Sequence, residues 1–141
     1  MGSTGKNPAS RVQNDVPNPR VQSPISWFEI PVHDLARAVG FYSQVFAMDM
    51  EITRSGDHAM SFFPAEEGGV GGALVAGPGS IPSGTGPLIY LNAGEDLLPS
   101  LAQVESAGGR VVLGKTSLGE AGFFALFIDT EGNKLALHSR S

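Results

Sequence analysis

Moved along itself by 62 positions, this chain of 141 residues meets its own pattern again. Asp34-Leu35 falls on Asp96-Leu97, Val39 on Leu101, Phe62 on Phe124, and GALVA (72–76) on KLALH (134–138). Each half reads in one order: a strand, a helix, then three strands. In the first half ISWFEIPV is a strand with both faces largely apolar. Asp34 then stands as an N-cap before LARAVGFYSQVF, where Leu35, Ala38, Val39, Tyr42 and Phe46 recur at helical spacing. MDMEITRS, HAMSFFPA and ALVAG follow as strands, with a Gly-Asp turn between the first two. GPGSIPSGTGP reads as a linker. In the second half PLIYLNAG is a strand, and Asp96 caps LLPSLAQVESAGG, with Pro99 in the first turn and Gly108-Gly109 at the end. RVVLGKT, GFFALFID and KLALHS complete the order. One offset shared by so many elements predicts tandem βαβββ modules, about 25–77 and 86–139, within a domain over 25–141. Residues 1–24 show no hydrophobic period and read as an arm, either a plain tail or a segment docked on a partner subunit.

Composition narrows the function. Charged residues make up only 16% and the net charge is −5, with no basic block or stripe, so nucleic acid is not expected as a partner. The absence of cysteine removes disulfides, thiolate metal sites and thiol nucleophiles together, and suits a reducing cytoplasm. No stretch has the roughly 18 apolar residues of a membrane span, so no membrane association is expected. GRVVLGKT (109–116) fits the P-loop expression, but its middle residues are a strand candidate and SLGEAG cannot supply the helix that must follow. It is read as coincidence.

The stretches FEIPVHDLARAVGFYSQVFAM and GFFALFIDTEGNKLALHS together resemble the glyoxalase/bleomycin-resistance/dioxygenase superfamily, also called vicinal oxygen chelate proteins. The signals are V-x-D-L-x-R-A-x-x-F-Y near the start and D-x-E-G-N near the end, and the likeness covers residues 25–139. It implies an α+β fold in which the modules form a cup-shaped, mostly antiparallel sheet with helices outside, a ligand inside the cup, and homodimers. In metal-using members each module gives one His, Glu or Gln from its first strand and one from its fourth. The matching positions here are Trp27, Leu74, Ile89 (or Leu88, in the neighbouring register) and Ala136, none of which carries a ligating atom. The resemblance therefore implies a member without the usual metal, and no cofactor is expected.

Side chains two apart on a strand share a face, so Glu29 points with Trp27, and His138 with Ala136. On an apolar cup wall Glu29 is a candidate general base, and it equally suits a cationic ligand. Trp27 offers a stacking surface, and Met60, Phe62, Ile89 and His58 join Glu29 and His138 as candidate ligand contacts. Glu29, His58 and His138 are also the residue types of a substitute metal set, against the plainer reading of paired or solvated polar groups. Three functions follow. The first is a cytoplasmic small-molecule binder of the resistance type, acting by sequestration. The second is a lyase, isomerase or dioxygenase-like enzyme using Glu29 with an unusual metal or none. The third is a structural or interaction dimer.

Overall fold

The computed structural model describes residues 23–141, and the expected arm lies, but for its last two residues, outside them. Strand β1 (Trp27–Pro31) leads into helix α1 (Leu35–Phe46), followed by β2 (Ile52–Ser55), β3 (His58–Phe63) and β4 (Gly71–Ala76). The second module runs β5 (Tyr90–Asn92), α2 (Leu98–Gln103), β6 (Arg110–Ser117), a 3-10 turn at Gly119–Ala121, β7 (Phe123–Ile128) and β8 (Lys134–Ser139). Each module folds its own four-stranded mixed sheet, in the orders β1-β4-β3-β2 and β5-β8-β7-β6. The outer pairs β1–β4 and β5–β8 are parallel, and the rest are antiparallel. The two sheets share no ladder and do not close into a barrel. This is the expected tandem α+β architecture.

Helix α1 begins where Asp34 accepts the Arg37 backbone N–H at 3.0 Å, and it ends at Ala47 in the left-handed region. Its buried stripe is Leu35, Ala38, Phe41, Tyr42 and Val45. That stripe lies on Ile30 and Leu74 of the first sheet and reaches Phe127 of the second, whose ring stands 5.9 Å from that of Phe41. Helix α2 is shorter than the spacing predicts. Asp96 stands one residue before the N-cap, Leu97, and its carboxylate accepts the Leu98 N–H at 3.0 Å. Leu97 and Val104 are fully buried, so the apolar spacing is used although the helix stops at Gln103. No helix among the described residues is long and apolar enough to cross a membrane.

The repeat at 62 holds through Phe62 and Phe124, which both lie on the open faces of their sheets, and then fails. Ladder partners share a face: Ala73 pairs with Phe62, whereas His138 pairs with Phe124. Leu74 therefore points into the core with Ile30, while Ala136 points to the open face between Tyr90 and Leu126. Laying GALVA on KLALH places the fourth strands one residue out of phase, and a one-residue slip turns every side chain over.

The two motifs that carried the family resemblance meet in space. Glu131, in the turn between β7 and β8, is fully buried at its side chain. It accepts the backbone N–H groups of His33 and Asp34, both at 2.9 Å, and the Nε and Nη2 N–H groups of the Arg37 guanidinium. Asp129 accepts the buried Tyr42 hydroxyl at 2.7 Å. Burial and then the Asp129 charge push the Tyr42 phenol well above its ordinary pKa. Asn133 donates to the Pro31 carbonyl at 2.8 Å. The turn DTEGN thus clasps the entry of α1, tying the second module to the first.

On the core side of β3 the Ser61 hydroxyl is buried with no hydrogen-bond partner among the described residues. A buried hydroxyl left unpaired costs free energy that alanine does not. Ser61→Ala should raise stability by about 1 kcal/mol, read as a later urea midpoint. An equal loss would mean that the hydroxyl has a partner.

Candidate functional site

The faces turned away from the helices carry matched aromatic pairs. On the first sheet Trp27 and Phe62 lie 6.0 Å apart by ring centroid, and on the second Tyr90 and Phe124 lie 6.1 Å apart. Trp27, Phe62 and Tyr90 are each close to half exposed, Trp27 and Tyr90 as the first residues of β1 and β5 and Phe62 near the end of β3. The register puts His58 and Met60 beside Phe62, and Asn92 and His138 beside Phe124.

Glu29 shares the open face with Trp27, as alternation requires, and accepts the indole N–H at 3.1 Å. It is exposed rather than enclosed by an apolar wall. His58 is held between the Asp57 carboxylate and the Pro78 carbonyl, each at 3.0 Å. His138 contacts the Ala121 carbonyl through Nε2 at 2.6 Å. The three residues are not brought together: among the described residues no three His, Asp or Glu side chains gather closely enough to hold a cation. Trp27 and Ala136 are surrounded on the open faces by Phe62, Ala73, Tyr90 and Leu126. Trp27, Leu74, Ile89 and Ala136, the positions that the resemblance matches to metal ligands, carry no ligating atom.

Where the end of β1 approaches the start of β8 there is a cavity of about 210 Å³. Ile30, Pro31, Ile89 and Leu135 supply apolar walls, and Glu29 lines one side. Ile89 thus serves two surfaces, packing on the core and closing the cavity. The linker contributes Ile81 and Ser83 to the lining, and the Ser83 N–H is tied to Asn133 at 3.0 Å. The sequence reading missed Asn133 and Lys134 as cavity residues; only the position of KLALHS beside the first strand could have suggested them.

The P-loop-like stretch is strand β6 followed by a 3-10 turn, so the loop-to-helix geometry for phosphate is absent there. Lys115 lies over the Phe123 ring, 4.7 Å from its centroid, and donates to Asp96 at 3.1 Å. The Leu98 N–H and then Lys115 hold the Asp96 carboxyl below the usual carboxylate range.

Paired βαβββ modules, with helices on one side of each sheet and an open aromatic face on the other, define the class of protein. The family model of the Glyoxalase/Bleomycin resistance protein/Dioxygenase superfamily matches residues 24–137, and the chain belongs to that superfamily. Solved structures agree on the fold. Glyoxalase I from Zea mays is 20% identical with a TM-score of 0.63; the match covers 82% of this chain and 44% of the maize chain. A glyoxalase/bleomycin resistance protein from Streptomyces sp. CB03234 is 21% identical, TM-score 0.61, over 80% of this chain and 97% of that one. Another, from Albidiferax ferrireducens T118, is 17% identical, TM-score 0.60, over 84% and 100%. At these identities the likeness establishes the fold alone. No match was found among the curated proteins.

Proposed function

We propose that this chain binds a small, partly aromatic or amphipathic molecule between its modules, without a resident metal, as a cytoplasmic homodimer. The observation that carries the reading is the cavity of about 210 Å³, apolar on most sides, with Glu29 on its wall beside the Trp27 indole. Ligand pockets characteristically combine apolar walls with a few placed polar groups. An apolar cavity of about 150 Å³ admits benzene, so this one suits a ligand slightly larger. Binding is the function, as sequestration is in the resistance-type members that the family resemblance brings in. The half-exposed rings of Trp27 and Phe62, 6.0 Å apart, and of Tyr90 support the dimer, since exposed apolar surface of this kind marks interaction faces. A second copy would cover one open face with another.

The test uses thermal shift with a panel of neutral, cationic and zwitterionic aromatic molecules, read in parallel by the fluorescence of Trp27, the chain's one tryptophan. A ligand at about 100 times its Kd should stabilise the fold by about 2.7 kcal/mol and change the indole emission. Mg²⁺, Mn²⁺, Ni²⁺ and Zn²⁺ should leave the melting temperature unchanged. A stoichiometric, stabilising metal would overturn the reading.

A further inference from the structure

The cavity beside Glu29 has a second charged wall. Lys134, the first residue of β8, lines it together with Glu29. Neither takes part in an ion pair among the described residues, where the pairs are Arg37–Glu131, His58–Asp57, Lys115–Asp96 and Arg140–Glu95. One Glu29 oxygen accepts the Trp27 indole, and the other has no partner among the described residues. The remaining polar side chains are occupied. Asn133 accepts from Ser83 and donates to Pro31 and Asp129, and the Ser83 hydroxyl contacts Thr85. They shape the hollow and leave the two charges to face a ligand. Opposite charges on the lining of one largely apolar hollow complement a small molecule that carries both signs of charge.

We infer that the cavity takes a small zwitterion: a free α-amino acid with an apolar side chain, its ammonium on Glu29 and its carboxylate on Lys134. Pro31, Pro87 and Ile89 contact the side chain, and Ile81, 73% exposed on the linker, is covered when the ligand enters. The inference rests on the small-molecule reading above and names its ligand class.

Isothermal titration of the full chain with L-phenylalanine, phenethylamine and 3-phenylpropionate tests it. The amino acid should bind at least about tenfold more tightly than either singly charged analogue, the equivalent of about 1.4 kcal/mol. Lys134→Met should reduce L-phenylalanine to the affinity of the amine, and Glu29→Gln should reduce it to that of the acid. Far-UV circular dichroism and melting temperature confirm that each variant folds. Equal affinity of all three probes, or indifference of L-phenylalanine to Lys134→Met, would overturn the zwitterion while leaving small-molecule binding intact. So would failure of L-phenylalanine to bind a protein that other apolar molecules stabilise. If nothing in the panel binds, both readings fall.

Discussion

Glu131→Gln should lower folding stability by about 3 kcal/mol at pH 7 and by almost nothing at pH 2. Burial alone pushes the Glu131 carboxyl up, but Arg37, the Asp34 N–H, the Thr130 hydroxyl and the His33 N–H outweigh it and leave it at about 2, against 4.5 for a free glutamate. A carboxyl whose folded pKa is depressed adds stability that is complete above its unfolded pKa and is lost as pH falls through the folded one. The window therefore runs from about pH 4.5 down to about pH 2. Glutamine keeps the shape and one acceptor but turns an amide N–H toward the Arg37 guanidinium. Arg37 is half exposed and is rehydrated, so the cost falls on the buried side of the pair. Urea denaturation of both proteins across this range should give stability curves that converge at the acid end. Parallel curves would show that Glu131 does not carry the charge linkage.

Gly122→Ala should be nearly as damaging, at about 2–4 kcal/mol. Gly122 stands at φ 101°, ψ −137°, a conformation that side-chain-bearing residues rarely adopt. An added Cβ falls on the Ser139 carbonyl oxygen and within 3.3 Å of His138 Nε2. Neither neighbour can yield easily: Ser139 is in the ladder with Phe123, and His138 is fixed by the Ala121 carbonyl. Gly119, three residues earlier at φ 70°, faces open space, so Gly119→Ala should cost only about 1 kcal/mol. Similar losses at the two positions, by equilibrium denaturation, would refute the steric argument at Gly122.

What could be read from the sequence was local. Asp34 as a cap, Leu35, Ala38 and Tyr42 on the buried face of α1 and the strand order follow from periodicity and capping within a few residues, whereas Phe41 and Val45 are buried in place of Val39 and Phe46, which are half-buried. The face presented by β4 was not legible. GGALVA is small and apolar throughout, so no polar alternation fixes its phase, and Leu74, which the resemblance matches to a metal-ligand position, points into the core while Ala73 lies on the open face. The candidate site was legible on β1, where the polar Glu29 and aromatic Trp27 mark one face. His58 and His138 suggested ligands by type alone, but they stand on different sheets and each is engaged by a backbone carbonyl. The sequence shows Lys134 only as the start of a strand, because its place on the same cavity as Glu29 depends on how residues about a hundred positions apart come together.

The clasp around Glu131 also bears on the order in which the molecule can be completed. The carboxylate that satisfies the first turn of α1 lies 98 residues beyond His33. During synthesis the first module leaves the ribosome well before that carboxylate exists, with the His33 and Asp34 amides still hydrated and Tyr42 without Asp129. The last hairpin to appear is the one that closes the first helix. Folding to the final state thus waits on nearly the whole described chain, and the two repeated halves, alike in plan, should unfold in a single transition.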